Sequence, residues 1–158
     1  MLCAAIAPCS APGSPCNNMA KSVSAIQKGL NYQARFWWTH ALQMAHGQHI
    51  ASVVIECDDV AFVDDVVVRY HNPVRDPVSG TDVLVHHYQC KFHATLNGSF
   101  SIDSICDPDF IHTKESMLVR LYRAYKALCD GTNPFLLTVV SNWGWSDRDT
   151  LSSFIADG

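Results

Sequence analysis

The residues best suited to chemistry are five carboxylates that lie within ten positions of one another, with no basic residue between them. They span the end of one predicted strand and the start of the next: Glu56, Asp58, Asp59, Asp64 and Asp65. Crowded carboxylates repel one another, and a hard divalent cation relieves that repulsion. A solvated acidic turn explains the cluster equally well, so the cluster alone leaves both interpretations open.

A predicted strand near residue 90 carries a lysine in the middle of a polar face. Side chains alternate along a strand, so His87, Gln89, Lys91 and His93 share one face, and His86, Tyr88, Cys90 and Phe92 share the other. A lysine beside a sheet needs carboxylates nearby, and the acidic cluster borders the preceding strand. The competing interpretation is a half-exposed strand with ordinary alternation.

An acid on one strand and a Gln-x-Lys on its hairpin partner are what metal-dependent phosphodiester hydrolysis requires. Asp65 would bind Mg²⁺ (or Mn²⁺), with Asp64 as the alternative ligand because alternation does not determine the register. Gln89 would add an amide oxygen and Cys90 its backbone carbonyl, which suits an ion that takes few protein carboxylates. Lys91 would orient the attacking water and offset phosphate charge.

An unrelated α/β domain with structural salt bridges is the alternative to a nuclease. It predicts that Asp65 and Lys91 lie far apart or on opposite faces. A nuclease requires Asp65, Gln89 and Lys91 to converge. A nuclease fold without catalysis, serving nucleic-acid binding or assembly, is a further alternative.

These residues are positioned by a predicted order of helix, three strands, helix, strand and helix. The first helix covers 22–46, and its inward positions are Ile26, Leu30, Gln33, Trp37, Ala41 and Met44. Gln33 is the polar exception, which needs a partner or a functional reason. The strands are predicted at 51–56, 63–70 and 82–93, the last two forming an antiparallel hairpin with a long, mobile loop at 71–80.

The second half predicts a helix from about Thr113 to Gly131, a buried strand at 134–141 and a helix beginning at Ser146. Val66, Val67 and Val68 are apolar on both faces, so the second strand is predicted to be central. The fold class is therefore α/β (α+β), with a mixed central sheet flanked by helices.

Four motifs in this order resemble the restriction-endonuclease-like PD-(D/E)xK nuclease superfamily. Residues 28–33 (KGLNYQ) are similar to the G-x-x-YQ opening of effector nucleases from bacterial antiphage (CBASS/SAVED-type) defence proteins. Residues 64–68 (DDVVV) resemble the acid-then-hydrophobic strand, and residues 88–91 (YQCK) resemble the Q-x-K strand. Residues 139–142 (VVSN), followed by the polar helix start Ser146-Asp147, resemble the later strand that ends in Thr/Ser-Asn.

The resemblance implies a double-stranded DNA endonuclease domain in which Asp65, Gln89 and Lys91 are catalytic. Glu56 is a second acidic candidate, and Gln33 is expected to reach the site from the first helix. The resemblance also implies a C-terminal sensor domain absent from this chain and oligomerisation on activation.

The chain is expected to divide into a disordered extension at 1–20 and a nuclease-like domain at 21–158 that is truncated at its C-terminus. Residues 1–20 lack the basic start and unbroken apolar run of a signal peptide. No apolar run is long enough to span a membrane. The seven cysteines form no CxxC pair and suit neither zinc nor a disulfide framework, which indicates buried reduced thiols in a cytoplasmic protein.

The formal net charge of −4 and the pI near 6.0 exclude nucleic-acid binding by bulk positive charge. A local basic groove is still compatible with this net charge. Arg120, Arg123 and Lys126 lie along one flank of the second predicted helix, where they would contact phosphates or form a solvated face. Trp143 and Trp145 would stack on bases or pack against further chain.

Overall fold

The computed structural model describes residues 15–58, 60–94, 98–129 and 131–150. Its centre is a four-stranded sheet in the order β1-β2-β3-β4. The strands are Ile50–Ile55 (β1), Val66–Arg75 (β2), Asp82–Lys91 (β3) and Phe135–Ser141 (β4). The β1–β2 and β2–β3 pairs are antiparallel and β3–β4 is parallel. The mixed sheet confirms the predicted α/β class, with β2 and β3 in the centre.

Helices cover both faces of the sheet. The first, α1 (Pro15–Ala45), packs on one face, while α2 (Ile102–Cys106) and α3 (Met117–Cys129) lie on the other. No helix among the residues described has the length and apolar character to cross a membrane.

Each face of the sheet has its own apolar core. Val66, Val68 and Tyr88 pack toward α1. On the opposite face the cluster lies between the sheet, α2 and α3: Phe62, Val63, Phe100, Ile105, Met117 and Ala124. Val66, Val67 and Val68 are at most 1% exposed, because β2 has a strand on each side and helices on both faces. The sheet therefore holds the end of β3 rigidly next to the start of β2.

The β2–β3 connection is shorter than the loop predicted at 71–80. The strand continues to Arg75, and Pro73 is accommodated where the register shifts between Arg69 and Val74. A proline without an N–H is tolerated at such an irregularity. The Ser79 N–H then donates to Asp76 Oδ2 at 2.6 Å, which closes a tight turn.

Several helix boundaries also differ from the predictions. Since α1 begins at Pro15, positions 15–20 of the predicted extension are helical; a proline suits the first turn, where its missing N–H needs no partner. Residues 1–14 lie outside the described part of the chain. The helix α2 forms in a predicted loop because Ser101 and Ser104 make a capping box. Of the helix predicted from Ser146, only a turn up to residue 150 is described.

The predicted inward stripe of α1 is only partly buried. Gln33 and Ala41 are buried, but Ile26 and Leu30 are 62% and 51% exposed, and Met44 is exposed. A 31-residue helix is about 46 Å long at 1.5 Å per residue. It therefore overhangs the six-residue strand β1, which is about 20 Å long. Residues 23–28 of α1 are exposed, whereas its buried residues, Gln33 and Ala41, lie further along the helix.

The cysteine prediction is correct in part. Cys57 is buried and Cys90 is half-buried, whereas Cys106 and Cys129 are exposed. Both exposed thiols lie at the last residue of a helix, α2 and α3 respectively, where the chain leaves the core.

Candidate active site

The antiparallel register of β2 and β3 brings Asp65 next to Gln89. Val66 pairs with Tyr88, so Asp65 and Gln89 are the next residues to face each other. Gln89 Nε2 donates a hydrogen bond to Asp65 Oδ2, and the Cys90 N–H donates to the same oxygen at 2.6 Å. The adjacent Asp64 does not make these contacts, so the geometry favours Asp65 over Asp64 as the central acid.

Lys91 ends β3 on the same face as Gln89. Its Nζ lies 5.1 Å from the centroid of the Phe62 ring, and Arg120 Cζ from α3 lies 4.2 Å from the same centroid. Such cation–π contacts hold an ammonium without neutralising it. Phe62 is buried with a φ of 80°, a left-handed conformation that is strained for a residue with a side chain.

Gln33 connects α1 to the start of the site. Its Nε2 donates to Glu56 Oε1 at 2.5 Å and to the Asp65 carbonyl at 3.0 Å. The Glu56 N–H also donates to that carbonyl, at 3.1 Å. The buried polar residue predicted on the inner face of α1 therefore has both its partners at the end of β1 and the start of β2.

Burial opposes charge on both Asp65 and Lys91. It raises the pKa of Asp65, which the Cys90 N–H and the Lys91 ammonium act to lower. Burial likewise lowers the pKa of Lys91, which the Asp65 carboxylate acts to raise. Each group thus favours the charged form of the other, as expected for opposite charges at the same end of the sheet.

The oxygen atoms at this position fit a hard divalent cation. Gln89 is 4% exposed, and its Oε1 has no hydrogen-bond partner among the residues described. The N–H and C=O of a strand residue point to the same side, so the Cys90 carbonyl lies on the side of Asp65. A buried acceptor without a donor beside a carboxylate is the oxygen donor set that Mg²⁺ or Mn²⁺ takes.

The described part of the chain offers no alternative metal site made of three such side chains. Within residues 15–58, 60–94, 98–129 and 131–150, no three His, Cys, Asp or Glu side chains are grouped to hold a metal ion. A metal at this site would therefore depend on the Gln89 amide and a backbone carbonyl as well as on Asp65.

The three basic residues predicted on α3 do not form one surface. Arg120 is half-buried against Phe62. Arg123 forms an ion pair with Glu115, with Nη1 2.6 Å from Oε1, and only Lys126 is simply exposed. The helix places residues three apart on one flank, but packing and pairing give each residue a different role.

Two tryptophans predicted to contact bases or further chain pack inside this domain. Trp143 stacks on His93 with ring centroids 3.6 Å apart, and Trp145 stacks on Phe100. Asn142 accepts a hydrogen bond from the His93 N–H and donates one to the His93 carbonyl, each at 2.8 Å. Together these contacts hold the chain that leaves β3 directly after Lys91.

Sequence reasoning missed two contributors to the site. Asn142 entered only as part of a resembling motif, although its pairing with His93 steadies the end of β3. Phe62 carried no signal at all, because neither its positive φ nor its contacts with two cations can be read from residue spacing.

The comparisons with known proteins give one extended similarity. No family model matches the chain. Over 119 residues the chain is 37% identical to CD-NTase-associated protein 4 of Enterobacter hormaechei subsp. hoffmannii (strain UCI 50). The match covers 73% of this chain and 23% of that protein, so the chain spans about a quarter of the length of the relative.

Proposed function

We propose that this chain is a metal-dependent DNA endonuclease module of an antiphage defence effector, acting in the cytoplasm. One observation carries the proposal: where β2 begins and β3 ends, the Gln89 amide bonds the Asp65 carboxylate, and Lys91 follows Gln89 on the same face of β3. A carboxylate, a neutral oxygen donor and a lysine at one point are suited to phosphodiester hydrolysis.

The defence role is supported by the relative, whose name associates it with a CD-NTase. The resemblance of the motifs to CBASS/SAVED-type effector nucleases agrees with that name. From the same resemblance, a C-terminal sensor domain and activation by oligomerisation are part of the proposal.

The residues of this chain would share the work as follows. Asp65, Gln89 Oε1 and the Cys90 carbonyl would hold Mg²⁺ or Mn²⁺. The bound ion would supply Lewis acidity and a lowered water pKa. Lys91 would orient the attacking water and offset the charge that develops on the phosphate. Gln33 and Glu56 would keep Asp65 in position from the other face, so they are positioning residues.

The test is plasmid cleavage by the 158-residue chain with Mg²⁺, with Mn²⁺ and with EDTA. We expect cleavage with either metal, none with EDTA, and a loss of at least a hundredfold in Lys91→Ala, because general charge stabilisation in a transition state is commonly worth that much. Lys114→Ala, which removes an exposed lysine outside the site, should cleave like the wild type.

A silent wild-type chain leads to a second experiment, because a module separated from its sensor can be inactive. The chain is then dimerised through a fused coiled coil, and Mg²⁺ binding is measured by calorimetry. Absence of both cleavage and Mg²⁺ binding would overturn the nuclease and favour a non-catalytic module that binds DNA or supports assembly.

A further inference from the structure

A small groove lies on the flank of α1, beside the end of β3. Its volume is about 160 Å³. Four of its lining residues recur at positions i, i+3, i+4 and i+7 of the helix, and the fifth follows β3: Lys28, Asn31, Tyr32, Arg35 and Phe92. Residues with this spacing share one face of a helix, so α1 presents a continuous stripe of polar, basic and aromatic groups.

The charge of α1 is opposite to that of the whole chain. The helix contains Lys21, Lys28 and Arg35 and no Asp or Glu, in a protein with a net charge of −4. Lys28 and Arg35 are exposed, and neither forms an ion pair with any residue that the structure describes. No carboxylate lines the groove. Two cations on one face of the helix, without an ion pair among the described residues, favour an anionic partner.

The other groups of the groove suit a sugar-phosphate backbone. Gln27 Nε2 donates to Asn31 Oδ1 at 3.2 Å, which leaves the Asn31 amide group to act as a donor. The Tyr32 and Phe92 rings are 5.8 Å apart and supply an apolar floor. Lys28 and Arg35 are seven residues apart, about 10.5 Å along the helix. Donors at both ends of a short apolar floor fit two phosphates on either side of sugars.

The groove lies at the same end of the sheet as the candidate active site, on the face that α1 covers. Gln33, which holds Glu56 and the Asp65 carbonyl, lies between Tyr32 and Arg35 on α1. Phe92 directly follows Lys91. The Tyr32 ring lies 5.8 Å from the Phe92 ring, which places Tyr32 beside the end of β3. A nucleic acid seated on the stripe would therefore lie at the end of the sheet that carries the site.

We propose that Lys28, Asn31, Tyr32 and Arg35, with Phe92, form a binding surface for the phosphate backbone of double-stranded DNA. The surface rests on the proposed function, since it would position the duplex for cleavage at Asp65, Gln89 and Lys91. This surface is separate from the basic residues of α3, where Arg123 forms an ion pair with Glu115 and Arg120 packs against Phe62.

The experiment measures binding of a fluorescent 20-base-pair duplex by anisotropy in EDTA, between 50 and 200 mM salt. EDTA prevents metal-dependent cleavage, so binding is read separately from catalysis. We expect the Lys28→Gln/Arg35→Gln double variant to bind about tenfold or more weakly, with the slope of log K against log salt reduced by about 2, one unit for each lost phosphate contact. Lys114→Gln/Arg148→Gln, which removes two exposed cations outside α1, should keep the wild-type affinity and slope.

The outcomes test the DNA-binding surface and the nuclease activity separately. No DNA binding by the wild type at 50 mM salt, or equal slopes for the two double variants, overturns the surface, and cleavage of plasmid in the same preparations would leave the nuclease standing. If the Lys28→Gln/Arg35→Gln variant has the reduced slope but the wild type neither cleaves DNA nor binds Mg²⁺, the DNA-binding surface is supported and the nuclease is overturned. Equal effects on duplex DNA and duplex RNA would overturn DNA as the specific partner. Circular dichroism of both variants checks that they fold.

Discussion

Asp65 is held by donors on the neighbouring strand and by a contact from the opposite face of the sheet. Gln89 and the Cys90 N–H bind its carboxylate, while Gln33 binds its carbonyl. The carboxylate therefore has a defined direction, as the proposed metal site would require. This matters because binding groups that are already in place lose little freedom on binding.

At the residue scale, we predict that Gln33→Leu destabilises the fold by about 1–3 kcal/mol. The substitution removes the hydrogen bond to the carboxylate of Glu56, an exposed residue, and one of the two hydrogen bonds to the Asp65 carbonyl. The loss of two hydrogen bonds, one of them to a charged group, costs about this much. Urea unfolding followed by tryptophan fluorescence measures the change.

The matched control is Gln27→Leu on the exposed side of the same helix. Gln27 bonds only the exposed Asn31 side chain, and surface substitutions of this kind stay within about 0.5 kcal/mol. Similar losses in both variants would show that Gln33 acts through helix propensity rather than through its contacts with Glu56 and Asp65.

At the scale of elements, a polar chain crosses β3 and β4 under α1. The Tyr88 hydroxyl lies 2.7 Å from His86 Nδ1, and His86 Nε2 lies 2.7 Å from Thr138 Oγ1. A neutral imidazole satisfies both neighbours as one donor and one acceptor. Burial lowers the pKa of His86 to about 4, so the folded protein keeps this ring neutral at neutral pH.

We therefore predict that acid destabilises the fold through His86. In the unfolded chain, His86 binds a proton as the pH falls below its usual pKa of about 6.5. In the folded chain, it binds a proton only as the pH falls to about 4. The stabilisation is complete above pH 6.5 and is lost as the pH falls toward 4. Between pH 6.5 and 5 the loss is about 1.5 kcal/mol. Urea unfolding at several pH values measures it.

His86→Gln is the variant that tests this assignment, because glutamine keeps a donor and an acceptor but does not titrate in this range. Its free energy of unfolding should vary less between pH 6.5 and 5 than that of the wild type. His46→Gln, at an exposed position just after α1, should retain the wild-type pH dependence. An unchanged slope in His86→Gln would assign the acid sensitivity to other groups.

At the scale of the whole molecule, a metal that binds only the folded chain must stabilise it. With about 10 mM Mg²⁺ and a Kd of about 1 mM, the gain is about 1.4 kcal/mol, or about 3–5 °C in Tm for a domain of this size. We predict this increase for the wild type relative to EDTA, measured by thermal unfolding.

Asp65→Ala should lose the Mg²⁺-dependent increase, while Asp58→Ala should keep it. Asp58 belongs to the same acidic segment but is exposed, so it controls for general screening of negative charge. Each variant is compared with itself in EDTA, which separates the metal effect from the stability change caused by the substitution. Equal increases in all three proteins would show that Mg²⁺ acts on net charge and not at Asp65.

The local sequence contains enough information for the central part of the fold. Alternation along β3 places Gln89 and Lys91 on one face, and the apolar run Val66–Val68 predicts a central strand; both follow from the two-residue period of an extended chain. The helical period of 3.6 residues likewise identifies Gln33 as a polar residue on an apolar helix face. These features depend on neighbours in sequence, so residue spacing is sufficient to predict them.

Other features depend on residues that are distant in sequence. The choice of Asp65 over Asp64 follows from the pairing of Val66 with Tyr88, a register that alternation within one strand cannot supply. The exposure of Ile26 and Leu30 follows from the length of α1 relative to the sheet. The contact of Phe62 with Lys91 and Arg120, and the groove between α1 and Phe92, exist only because packing brings separate elements together. Periodicity determined which side chains share a face, and the tertiary structure alone decided which faces meet.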